Sequence, residues 1–190
     1  TNGWQLGGNV GGNGVTTAHK LVYSTDTTAT ETDADLDTGR REHSMMSDGS
    51  TNGYSSGGEG GVSVTEKLIF ATPATAAHTD ADLSSGRLLM GVVSNGDTHG
   101  YYLGGYAGDE TAVADKITFS TETLAAETDA NLDTATSHMM AGASDGTNGY
   151  VAGGRISDGS VTAAAHKIVF ATDANAAETD ADLGTALKSS

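Results

Sequence analysis

Acidic residues recur in this chain at a spacing that could hold a metal. Thr32-Asp33-Ala34-Asp35-Leu36 returns as Thr79-Asp80-Ala81-Asp82-Leu83, Thr128-Asp129-Ala130-Asn131-Leu132 and Thr179-Asp180-Ala181-Asp182-Leu183. Alternating carboxylates offer the hard oxygen donors that Ca²⁺ takes. Asp33, Asp35, Asp80, Asp82, Asp129, Asp180 and Asp182 are therefore the calcium candidates, and Asp37 extends the first copy. The calcium-loop pattern, Asp-x-Asp-x-Asp-Gly with a distal Glu, is not met. No metal or other cofactor is assigned. The plainer reading is of solvated residues on an outer strand or turn, whose side chains cap nearby backbone.

Other chemistry finds less support. The six histidines, His19, His43, His78, His99, His138 and His166, show neither His-x-His nor His-x-x-x-His spacing, and they read as exposed strand ends rather than zinc ligands. Ser, His and Asp are common, but no nucleophile elbow places them. Paired carboxylates for glycoside cleavage would break the symmetry of a repeat, whereas here the acids follow it. The Gly-Gly runs lack the Lys-Ser/Thr of a phosphate loop. Met45-Met46 and Met139-Met140 read as interior filling. The chain is not expected to be an enzyme. Trp4, Tyr102, Tyr106 and Arg155 are the aromatic and cationic residues expected at the surface, where they could grip a glycan.

These residues are carried on a unit written four times. Gly3-Trp4-Gln5-Leu6-Gly7-Gly8 returns at 53–58, 100–105 and 149–154, and the aromatics Trp4, Tyr54, Tyr101 and Tyr150 stand 50, 47 and 49 residues apart. A period of this size marks a solenoid, propeller or array. The repeats fall at about 1–50, 51–97, 98–146 and 147–190, within one domain. Each unit offers four strand-sized pieces: a (Met-Met-Ala-Gly), b (Gly-Tyr-x-x-Gly-Gly), c (Lys-Ile-x-Phe) and d (Asp-Ala-Asp-Leu). In c, Ile168 and Phe170 share one face while Lys167 and Val169 take the other, and the closing aromatic reads as an anchor between units. The b aromatic is expected to pack partly, with a wet edge. The glycine pair permits positive φ or close backbone approach. After it come loops of varying length at 9–14, 59–61, 106–110 and 155–159, the places where a repeat protein can put binding.

Composition narrows the partners. The net charge of −16 argues against nucleic acid and against anionic membranes. There is no cysteine, and no apolar run reaches the roughly 20 residues of a membrane span. The chain opens on Thr1, as a processed product or a segment of something longer would.

The Gly-Tyr-x-x-Gly-Gly run, a later strand ending in an aromatic, a Leu, and then an Arg, Arg40 or Arg41 in the first unit and Arg87 in the second, resemble the kelch repeat. Ala135-Thr136 departs from it in the third unit, and d has no counterpart of the kelch Trp. Tyr23-Ser24-Thr25-Asp26-Thr27 and Phe119-Ser120-Thr121-Glu122-Thr123 are similar to kelch-like repeats of marine bacteriophage tail fibres and bacterial surface proteins. The resemblance implies an all-β protein, a β-propeller of four four-stranded antiparallel blades, at a virion or cell surface. The strand count adds a complication. The chain runs b-c-d and then a-b-c-d three times, so the first blade is expected to be completed by the chain termini or by a neighbouring subunit, unless the units belong to a longer chain. A structural or adhesive protein that self-associates into a fibre is the expected function. The alternative is a receptor- or carbohydrate-binding module whose partner is a glycan or cell-surface receptor.

Overall fold

The computed structural model describes residues 2–139 and 142–189. It is all-β, and the only helices among the described residues are single 3₁₀ turns. Three units are four-stranded antiparallel meanders. Strands a, b, c and d are Ser44–Ser47, Asn52–Ser56, Thr65–Ile69 and Ala74–Ala77 in unit 2. In unit 3 they are Gly91–Ser94, His99–Leu103, Ala114–Thr118 and Thr123–Ala126, and in unit 4 Gly142–Ser144, Asn148–Ala152, Ala165–Val169 and Ala174–Ala177. Unit 1 has only b, c and d, at Asn2–Leu6, Ala18–Val22 and Thr27–Thr30. Of the a segment read around Met139-Met140, Met139 is buried, while Met140 and Ala141 lie outside the described residues. No helix among the described residues is long and apolar enough to cross a membrane.

The d strand is not where the sequence reading put it. It follows c at once, through turns with positive φ at Asp26, Glu122 and Asp173 (52°, 54° and 57°). The Asp-Ala-Asp-Leu segment is instead a 3₁₀ turn at Thr32–Ala34, Thr79–Ala81, Thr128–Ala130 and Thr179–Ala181. The reason is local hydrogen bonding, which draws Asp and Asn away from strands. The second acid of each copy, Asp35, Asp82 or Asp182, accepts the N–H of Ala18, Thr65 or Ala165 at 2.7 Å. Asn131 accepts that of Ala114 at 2.8 Å, so the position needs an oxygen rather than a charge. The leucine that follows anchors the turn, and Leu36, Leu83 and Leu132 are buried.

Both glycines of each pair take positive φ, for instance 71° and 118° at Gly57 and Gly58. The sharp corner brings the second amide to the segment that leads out of the unit: Gly8, Gly58, Gly105 and Gly154 donate to the carbonyls of Arg40, Arg87, Thr136 and Leu187. A Cβ on Gly104 would stand 2.3 Å from the Thr136 oxygen.

Each core lies between two consecutive units. Leu6 and Leu36 of unit 1 meet Leu68 of unit 2; Tyr54 and Leu83 meet Ile117 of unit 3; Tyr101 and Leu132 meet Ile168 of unit 4. At each seam a b-strand aromatic stacks on the next unit's c-strand aromatic. The centroids are 6.3 Å apart for Trp4–Phe70, 5.8 Å for Tyr54–Phe119 and 6.0 Å for Tyr101–Phe170. The c aromatic thus anchors a seam in units 2, 3 and 4. Tyr23 of unit 1 stacks on no other ring among the described residues and is 53 % exposed. The a strands of units 2, 3 and 4 converge around an open cavity of about 420 Å³ lined by Met46, Val93 and Ala143 among others.

Candidate functional site

The seams hold most of the chain's buried polar chemistry. Arg40 and Arg87 leave units 1 and 2 and turn inward, where both are buried. Arg40 pairs with Glu66 and donates to the Val64 carbonyl at 2.9 Å. Arg87 Nη1 meets Asp115 Oδ2 at 2.7 Å, with both side chains fully buried, while its Nε donates to the Gly104 carbonyl at 2.8 Å. The same carboxylates also hold the corner's backbone: Asp37 N–H donates to Glu66 Oε2, the oxygen Arg40 leaves free, and Ser84 N–H donates to Asp115 Oδ2, the oxygen that Arg87 already engages. At the third seam the pattern changes. Thr136 stands in place of Arg, and His166 in place of the acid. His166 is buried, so the expectation of an exposed strand end fails there. Burial holds its imidazole below the ordinary histidine range, against the pull of Asp133 3.9 Å away. Sequence reasoning missed Glu66 and Asp115. The available signal was that the residue before the c-strand Lys is acidic only where the preceding segment carries Arg.

A second set of ion pairs lies further out on the same seams. Lys67 Nζ reaches Glu122 Oε2 at 2.7 Å, and Lys116 Nζ reaches Asp173 Oδ1 at 2.7 Å. Tyr54 and Tyr101 donate their hydroxyls to these same two acids. Burial, with the adjoining carboxylates, pushes both phenols above the ordinary tyrosine range.

The four glycan candidates do not form one surface. Tyr102 is fully buried, contrary to the expected exposure, and its hydroxyl donates to the Tyr54 carbonyl at 3.1 Å. Alternation explains this: adjacent Tyr101 and Tyr102 point to opposite sheet faces, and a neighbouring unit covers each face. Trp4 is half-buried on Phe70 and lines a cavity of about 610 Å³ with Gly3, Met45, Met46, Leu68 and Phe70. Only Tyr106 and Arg155 come together. The guanidinium sits 5.5 Å from the Tyr106 ring centroid, and Arg155 Nε donates to Glu110 Oε1 at 2.6 Å.

The calcium candidates are spread along the four turns. Asp33, Asp80, Asp129 and Asp180 are exposed, and Asp35, Asp82 and Asp182 are engaged as backbone caps. Among the described residues no three His, Asp or Glu side chains converge as a metal-binding group.

No protein-family model matches this sequence, and no curated protein matches it.

Proposed function

We propose that this chain is a kelch-like β-propeller segment with a structural or adhesive role, carrying out no chemistry of its own and assembling head to tail at a virion or cell surface. One observation carries the reading: the same inter-unit seam is built three times, and it absorbs the charged and aromatic residues that chemistry would otherwise draw on. The convergence of three a strands on one cavity supports a radial arrangement of blades. Near-identical units that bury their faces only against neighbours suit a scaffold. Electron microscopy of the purified protein, with sedimentation across concentration and salt, tests the reading. Rings or fibres of regular repeat are expected, and a monodisperse monomer under every salt and divalent-ion condition would refute it.

The alternative is carbohydrate binding through the variable loops. Tyr106 and Arg155 favour it, because they bring an aromatic face and a cation together from two of those loops. A glycan array, repeated with Tyr106→Ala, separates the two readings: hits that this substitution abolishes would favour the module over the scaffold.

A further inference from the structure

We infer that the free face of unit 4 and the free face of unit 1 form a fourth seam of the same design between two copies of this chain. This rests on the assembly reading above and names the contact that makes it. The second and third internal seams each join a b-strand aromatic and a c-strand Lys of one unit to a c-strand aromatic and a turn acid of the next. The sets are Tyr54 and Lys67 with Phe119 and Glu122, then Tyr101 and Lys116 with Phe170 and Asp173. Among the described residues, unit 4 presents the first half of this set, Tyr150 and Lys167, to no other unit, and unit 1 likewise presents the second half, Tyr23 and Asp26. Asp26 already holds the positive-φ turn that positions Glu122 and Asp173.

The local ion pairs show that unit 4 is a donor without its acceptor. Lys20 lacks an acid across its seam because unit 2 has Pro73 at that place, and it falls back on Glu31 of its own unit at 3.6 Å. Lys167 does the same, resting on Glu178 at 2.6 Å. Asp26 of a second copy would give Lys167 the partner that Lys67 and Lys116 have. The buried position agrees. Seams with Arg40 or Arg87 carry Glu66 or Asp115, and the seam with Thr136 carries His166. At the fourth seam Leu187 would meet His19, again without an unpaired guanidinium. Leu187 is 48 % exposed.

The backbone continues the argument. Leu89 N–H donates to the Glu42 carbonyl, His138 to that of Leu89, and Ser189 to that of His138, at 2.9, 3.0 and 3.0 Å. This ladder steps once per unit. Among the described residues the Glu42 amide makes no such bond, so Glu42 N–H of one copy and the Ser189 carbonyl of another are its next rung. The 3₁₀ turns tell the same story: Ala34, Ala81 and Ala130 are buried under the following unit, whereas Ala181 is exposed, as is the whole of Thr27–Thr30 that would cover it. The occupant is a second copy rather than the chain's own other end. Among the described residues no hydrogen bond, ion pair or ring stack joins unit 1 to unit 4. A contact of this kind uses different surfaces on its two sides, so it propagates, or closes into a ring where the rotation allows.

Sedimentation velocity on the full chain tests the seam with four variants. Tyr23→Asp is expected to weaken association about thirtyfold, as loss of a central aromatic does. Asp26→Lys and Lys167→Asp each place like charges opposite one another and are expected to weaken it about tenfold. Glu122 shows that a long side chain fits this turn. Asp26→Lys/Lys167→Asp in one chain, or an equal mixture of the two single variants, is expected to restore association. Thermal melts confirm that each variant is folded; should Asp26→Lys not fold, the comparison is made with Asp26→Asn and Lys167→Asp alone. If the wild type associates and none of these substitutions weakens it, the seam is wrong while the assembly reading survives. A wild type that stays monomeric overturns both.

Discussion

Units 1 and 3 share strands b, c and d, yet they differ sharply in how far they are buried. In unit 3, Tyr101, Tyr102, Leu103, Ala114 and Ile117 are fully buried, because units 2 and 4 cover its two faces. In unit 1, Trp4 and Leu21 are only half-buried, Tyr23 is exposed, and the d strand is exposed at all four positions. Among the described residues unit 1 also has no strand a, and the 610 Å³ cavity lies between its b strand and the a strand of unit 2. The contrast shows that a unit's order is conferred by its neighbours. Its hydrophobic faces are identical in kind, but they are buried only where a seam exists, as in repeat arrays generally.

The sharpest way to break this contrast is at the buried charge of the middle seam. Arg87→Met strands Asp115 without a counter-ion in a fully buried site, where Asp115 Oδ1 already lacks a hydrogen-bond partner. A loss of about 3–5 kcal/mol is expected in urea denaturation. Arg87→Met/Asp115→Leu should recover much of it, because the pair is replaced as a whole. In unit 1, Lys20→Met removes a partly exposed pair at 3.6 Å and should cost under about 1 kcal/mol. Equal losses at the two sites would show that the seam is not what holds unit 3.

The glycines give the next largest difference. Gly104 and Gly11 have nearly the same φ, +58° and +60°. A methyl group on Gly104 meets the Thr136 oxygen at 2.3 Å, and on Gly11 it meets nothing within 4 Å. Gly11→Ala should therefore cost only the left-handed backbone penalty, about 1–2 kcal/mol. Gly104→Ala should add an overpacking term of about 1–3 kcal/mol. Thermal melts of the two variants separate backbone strain from seam contact.

Much of this was legible in the sequence. The fourfold period, the positive-φ glycine pair and the inward face of the c strand follow from spacing and alternation, and Ile168 and Phe170 are buried on the face assigned to them. The errors came where local chemistry competes with periodicity or where burial depends on a neighbour. Thr-Asp-Ala-Asp has a strand's alternation, but the second Asp caps the c strand and winds the segment into a turn. The sequence of one strand does not say that both its faces are covered, and so Tyr102 reads as a surface aromatic although it is buried. The Arg87–Asp115 pair joins residues 28 apart in different units, so no short motif contains it.

The smallest expected effect compares unit 4 with the carboxylates of units 2 and 4 through pH. Burial lowers the His166 imidazole below its ordinary value of 6.5. The unfolded chain then binds more protons than the folded one, and stability falls as pH drops from 6.5 toward the folded value. Asp48 and Asp173 act in a lower window. Their pKa values lie below the ordinary 3.8: burial pushes them up, but backbone and Thr51 hydrogen bonds to Asp48, and the Lys116 and Tyr101 bonds to Asp173, outweigh it. Their contribution is full above 3.8 and is lost as pH falls through their folded values. His166→Asn should flatten the loss just below pH 6.5 and leave the acid limb unchanged. Asp173→Asn should do the reverse. Urea midpoints across the two windows check this, and a His166→Asn variant with the wild-type slope below 6.5 would mean that other histidines, such as the half-buried His43, carry that titration.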